Sequence, residues 1–301
     1  MKENTSKVSG VQAVNSKVTA LAALTLSMVL FGTIGIFRRY IPLSSGIIAM
    51  TRGVVGTVFI ALVIMAKGLK PSIKAIKENA ILLCLSGAAI GFNWILLFEA
   101  YRYTTVAVAT LCYYMAPVFV IMLSPVLFRE KLTVKKIGCV LAAIWGMVLV
   151  SGVLKSEGSA VAELKGVISG LGAAVLYACV ILINKKIKNI SAYDKTMVQL
   201  GVAAVVLIPY ILMTENLSAI TFSPVALIML LVVGVLHTGI AYTLYFGAIS
   251  SLNAQTTAIY SYIDPVVAII LSALVLHEEM GILEIIGAGM ILCAAMISEK
   301  S

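Results

Sequence analysis

The feature that most constrains this chain is the spacing of its charges. Uncharged, apolar windows run from 18 to 37, 79 to 98, 103 to 128, 137 to 154, 166 to 184, 196 to 214 and 216 to 263. A hydrocarbon core about 30 Å thick takes about 20 apolar residues per helix, so each window but the last is one predicted span. The last holds 48 residues and breaks at Ser250-Ser251-Leu252-Asn253, giving one helix from 225 to 248 and a second that passes Asp264 to 276. Two further apolar stretches carry a single charge each, 44 to 66 around Arg52 and 280 to 298 with Glu284 at its edge. The chain is therefore expected to be an all-α polytopic membrane protein of ten transmembrane helices.

Composition excludes the main alternatives. Only 12% of residues are charged, against about a quarter in a soluble domain. Cys84, Cys112, Cys139, Cys179 and Cys293 all lie in apolar runs, with no CxxC and no histidine at zinc-ligand spacing. They read as small hydrophobes, not as a disulfide framework or a metal site, and no cofactor is expected. The net charge of +9 comes from lysines and arginines in short loops, without the basic stripe or aromatic motif of a nucleic-acid binder. With a cytoplasmic N-terminus, sixteen basic residues fall inside and five outside, with Arg52 in a span; the positive-inside rule then predicts both termini in the cytoplasm. The apolar run behind Lys17 is longer than a signal-peptide core and is expected to stay as the first span.

The second half repeats the first. Residues 91 to 132 align without gaps on 239 to 280, with eleven identities that include Gly91/Gly239, Tyr114/Tyr262, Pro117/Pro265 and Glu130/Glu278. Five helices per copy is an odd number, so the second copy enters the membrane from the opposite side. Such inverted repeats build many secondary transporters, in which a site between the halves opens alternately to each side. The expected layout is a tail at 1–17, a first five-helix repeat at 18–153, an external linker at 154–164, a second repeat at 165–298 and a C-terminal tail at 299–301.

These residues resemble the EamA type of the drug/metabolite transporter superfamily over nearly the whole chain. The resemblance rests on ten helices as two repeats, Arg52 in the second span, and two matched segments. One is Tyr114-Met115-Ala116-Pro117-Val118 with Phe128-Arg129-Glu130-Lys131-Leu132-Thr133; the other is Tyr262-Ile263-Asp264-Pro265-Val266 with Leu276-His277-Glu278-Glu279. The small residue expected before each glutamate is replaced by Arg129 and His277. The resemblance implies secondary transport, often export, of amino acids, other metabolites, nucleosides or drugs, through a cavity lined mainly by spans 3, 4, 8 and 9.

Polar groups inside spans are the site candidates, since charge at a helix centre is costly. Asp264 has Ala116 as its repeat counterpart, and Asn253, Thr257, Tyr260 and Asp264 form one polar stripe on a helix. It is a substrate or proton carboxylate, or else a cap on amides loosened by Pro265 or a quiet partner of an arginine or tyrosine. His237, midway along an expected antiparallel neighbour, could complete a proton relay with Asp264 or simply bond across helices. Arg52 is expected to pair with Glu99 or Asp264, or to clamp a substrate carboxylate. Asn93, Trp94, Tyr114, Tyr242, Tyr260 and Tyr262 are candidate lining residues, alternatively helix-helix hydrogen-bonding groups, whereas Tyr40, Tyr101, Tyr103 and Tyr193 read as interface anchors. Pro117 and Pro265 are hinge candidates, and Glu130 and Glu278 helix-end or gate groups.

The expected function is thus secondary transport of a small organic metabolite, such as an amino acid or drug-like compound, across the cell membrane, with protons as a candidate coupling partner. No GxxxxGK[ST] loop points to an ATP-driven pump. An intramembrane receptor, or an acid-base enzyme using His237 and Asp264, is the alternative; no HExxH or GxSxG motif supports the enzyme.

Overall fold

A computed structural model describes residues 2–128, 133–150, 160–216, 223–249, 252 and 260–299. Among them every regular element is helical. The first repeat contains α1 (Lys2–Arg39), α2 (Ser45–Ala66), a short α3 (Ile73–Glu78), α4 (Ala80–Tyr103), α5 (Val106–Tyr113), α6 (Ala116–Phe128) and α7 (Val134–Val150). The second contains α8 (Ala160–Lys186), α9 (Ala192–Thr214), α10 (Pro224–Val232), a π-helical stretch Val233–Ile240, α11 (Ala241–Ile249), α12 (Ile263–Val275) and α13 (Ile282–Glu299).

Seven helical segments are long and apolar enough to cross a membrane. They are Lys17–Arg39, Ser45–Ala66, Ala80–Tyr103, Val106–Leu123, Glu163–Lys186, Ala192–Thr214 and Pro224–Ala248; α7, α12 and α13 are shorter. Four of the seven start at a hydroxyl cap. The side chains of Ser44, Thr105, Ser191 and Ser223 accept from Ile47, Val108, Asp194 and Ala226 amides, satisfying donors that lipid would leave unpaired. Large apolar side chains point outward along several spans, among them Leu62, Met65, Val126, Val205 and Leu212, a surface that hydrocarbon covers and water would not.

Packing runs between the repeats in matched sets. α4 packs on α8 as α11 packs on α1; α4 packs on α9 as α2 packs on the π-helical stretch; α6 packs on α8 as α12 packs on α1. The two self-matched pairs are α2 with α9 and α7 with α13. The α7–α13 crossing brings backbone to backbone: a Cβ on Gly146 would stand 2.7 Å from the Gly287 carbonyl oxygen, and one on Gly287 2.5 Å from that of Gly146.

Two expectations about helix continuity need correction. The fourth span is not one helix kinked at Pro117: it breaks at Tyr114-Met115, and Pro117 lies in the first turn of α6. Pro265 likewise lies in the first turn of α12, after a break at Tyr262. A proline lacks an N–H that the first turn does not use, so each proline starts a helix, and the interruption falls before it. The eighth span, expected as plain α-helix, holds i→i+5 turns around His237 and Thr238.

Candidate functional site

The matched breaks at Tyr114 and Tyr262 meet in the middle of the bundle. Their rings lie 6.2 Å apart between centroids, so the two repeat counterparts face each other across the pseudo-twofold axis. Around them is a cavity of about 270 Å³, just under the range of drug-sized sites, about 300–1,000 Å³. Seven tyrosines line it, Tyr101, Tyr113, Tyr114, Tyr177, Tyr242, Tyr245 and Tyr262, with Trp94 and Phe31, one cation, Arg52, and one carboxylate, Asp264.

Asp264 stands in the first turn of α12, where unsatisfied amides favour negative charge. Its Oδ2 is 3.0 Å from the Tyr114 hydroxyl, which is also 3.0 Å from the Ser261 carbonyl oxygen. A phenol has one proton to donate, so these two acceptors compete for it. The carbonyl of Asp264 is packed against α1 at Gly32, where a Cβ would come within 2.6 Å of it. Gly32 is thus small because α1 crosses the start of α12 there.

Arg52 is buried in the wall of the same cavity. Its Nε donates to Thr238 Oγ1 at 2.8 Å, and its guanidinium carbon lies 4.3 Å from the centroid of the Trp94 ring. A guanidinium stacked on an aromatic face keeps its in-plane donors for other partners. The π-helical stretch is what presents Thr238, whose hydroxyl donates back to the Val233 carbonyl at 3.2 Å, five residues away. Gly56 allows this approach: a Cβ there would meet Thr238 Cγ2 at 2.4 Å.

The structure gathers Trp94, Tyr114, Tyr242, Tyr262, Asp264 and Arg52 around one cavity, and separates others from it. His237 and Asp264 are not brought together, because α1 packs between α11 and α12. His237 is fully buried beside Phe37, with Nε2 2.8 Å from Thr33 Oγ1 and Nδ1 3.4 Å from the Val232 carbonyl. Asn93 turns its amide to the Ala173 carbonyl, tying α4 to α8. Tyr260 packs beside Leu24, Met28 and Ala248. Glu99 accepts from Ser45 at 2.6 Å and lies 3.9 Å from Arg102; among the described residues, no carboxylate lies within ion-pair distance of Arg52. Glu130, Asn253 and Thr257 fall outside the described residues.

Glu278 is a three-way junction at the end of α12. It accepts from Ser272 Oγ at 2.5 Å, from the amide of Val106 at 2.8 Å and from Arg39 Nη2 at 2.5 Å. Arg39 also donates to the Thr104 carbonyl at 3.0 Å. One carboxylate thereby joins the end of α1, the start of α5 and the end of α12.

Several lining residues had no distinguishing signal in the sequence. Tyr101, expected at the membrane interface, is buried, with its hydroxyl 3.4 Å from Thr110 Oγ1. Tyr177 on α8 stacks obliquely on Tyr113, with centroids 5.2 Å apart, and Met28, Phe31 and Ile34 bring α1 into the wall. The lining therefore extends beyond spans 3, 4, 8 and 9 to α1, α2 and α8.

Comparison with known proteins places this geometry in context. The sequence model of the EamA-like transporter family matches residues 18–152 and again 164–299. The uncharacterized transporter YxxF of Bacillus subtilis is 32% identical over 92% of this chain and 89% of its own length. An uncharacterized transporter of Archaeoglobus fulgidus is 27% identical over 92% of this chain and 95% of its own. A solved crystal structure at 15% identity superposes with a TM-score of 0.66, covering 93% of this chain and 96% of the other, which speaks to the fold alone.

Proposed function

Because the chain belongs to the EamA-like transporter family, we propose that this membrane transporter is a secondary exporter working by alternating access in the cell membrane. Its ten spans place both termini in the cytoplasm. Its cargo is a small organic metabolite with a carboxylate and an ammonium group, such as an amino acid, or a drug-like polar aromatic compound.

The observation that carries this reading is the pairing of Arg52 and Asp264 in the wall of one small aromatic cavity to which both repeats contribute. Arg52, stacked on Trp94 and without an ion-pair partner among the described residues, suits a carboxylate. Asp264 and the tyrosine faces suit an ammonium or a polar ring. Matched interruptions at Tyr114 and Tyr262 support alternating access, because the backbone of each repeat loosens where it meets the site.

Protons couple to transport at Asp264 in this proposal. When the carboxylate is ionised, the Tyr114 hydroxyl donates to it. When it is protonated, its own O–H turns to the Tyr114 oxygen, and Tyr114 donates to the Ser261 carbonyl. The carboxyl group is hydrogen-bonded to Tyr114 in both states, so neither form of it is left unpaired. Glu278, with Arg39, latches the external end.

Efflux from proteoliposomes preloaded with a pooled, isotope-labelled metabolite set tests the reading. Saturable release of one chemical class, chemically unchanged, is expected. Binding without release would favour a receptor, and a chemically altered product an enzyme.

A further inference from the structure

A second cavity of about 560 Å³ opens where α1 turns into α2, lined by Arg38, Arg39, Arg102 and Glu215, with Tyr101 in its wall. Tyr101 also belongs to the wall of the central cavity, so the two spaces share a lining residue.

Arg38 is the unusual member of this group. It is only 9% exposed, yet the one described hydrogen bond of its side chain runs from Nη1 to the Ile41 carbonyl at 2.9 Å. Its Nε is buried without a hydrogen-bond partner among the described residues. A guanidinium carries five donors in a planar fork, and a buried donor left without an acceptor is costly. Of the nearby carboxylates, Glu278 holds Arg39, Glu99 accepts from Ser45 and neighbours Arg102, and Glu215 lines the same cavity. Among the described residues, no carboxylate lies within ion-pair distance of Arg38.

We propose that this vestibule is a binding site for the carboxylate of a small soluble molecule, with Arg38 as its principal ligand. The planar fork matches a carboxylate. Arg102, with 59% of its side chain exposed, supplies a second, movable cation at the rim. Glu215 repels a simple anion and attracts the ammonium of a zwitterion, so the vestibule selects the same charge pattern as the central cavity. A solute held here shares one lining residue, Tyr101, with the cavity of Arg52 and Asp264. The vestibule lies at the end that Arg39 and Glu278 latch, so on the export reading it receives cargo as it leaves the transport cavity.

Titration of 4-fluorobenzoate against the purified full-length protein in phosphatidylcholine nanodiscs, followed by fluorine NMR, tests the proposal by binding, so that its outcome is separate from that of the transport reading. Saturable binding is expected in wild type, at least tenfold weaker binding in Arg38→Gln, and tighter binding in Glu215→Gln. The Glu215 variant adds no strain to α1 and keeps the test decisive if Arg38→Gln folds poorly. Persistence of binding in nanodiscs containing phosphatidylglycerol supports a soluble ligand. Displacement of the probe by that lipid, or binding indifferent to Arg38→Gln and Glu215→Gln, would overturn it.

Discussion

The hydroxyl of Tyr114 lies 3.0 Å from the carboxylate of Asp264, joining the break of the first repeat to the first turn of α12. A hydrogen bond to a charged group contributes about 1.5–3 kcal/mol. Tyr114→Phe is therefore expected to slow pH-gradient-driven flux about tenfold or more, with expression and thermal stability close to wild type. Unchanged flux in proteoliposomes would show that the contact is incidental.

Arg52 is held by shape as well as charge. Lysine at this position keeps the charge but loses both the Thr238 bond and the planar stack on Trp94. Arg52→Lys should weaken the affinity for a carboxylate-bearing cargo at least tenfold while the melting temperature in detergent changes little. A variant with wild-type affinity would reduce Arg52 to a packing residue.

His237 answers to Thr33 and Phe37, away from the cavity. His237→Gln is expected to lower stability by about 1–3 kcal/mol, the cost of a disturbed buried hydrogen bond, and to leave proton coupling intact. Loss of the pH-gradient response with stability preserved would restore the histidine to the proton path.

Membership of the fold class was legible in the sequence because lipid imposes one period on charge: spans can be counted between Lys17 and Arg38, or Lys165 and Lys185. The repeat was legible because Tyr114/Tyr262 and Pro117/Pro265 are poor coincidences in an apolar chain. What escaped was lateral order. Nothing in a hydropathy pattern says that α1 lies between α11 and α12, and so His237 and Asp264 were paired by depth alone. The π-helical turns escaped for a related reason: they are selected by the fit of Thr238 against Arg52 and Gly56, a tertiary demand with no local sequence signature. A tyrosine near a helix end, such as Tyr101, resembles an interface anchor until its neighbours are known.

His277 adopts a left-handed backbone, φ 52°, just after α12, where the Glu278 amide closes back on the Ser272 carbonyl at 3.1 Å. A residue other than glycine in this conformation costs about 1–2 kcal/mol, and glycine is the usual occupant of such helix ends. His277→Gly should stabilise the protein by about 1 kcal/mol, read as a higher melting temperature. A fall in melting temperature would mean that the imidazole makes a compensating contact.

The central claim is that Asp264 couples protons to transport through the aromatic cavity. Its most direct test is flux of the identified cargo in proteoliposomes with and without an imposed pH gradient, wild type beside Asp264→Asn. The gradient is expected to accelerate flux only in wild type, with the variant retaining gradient-independent exchange. Equal acceleration in both would contradict the account and leave Asp264 as a structural cap at the start of α12.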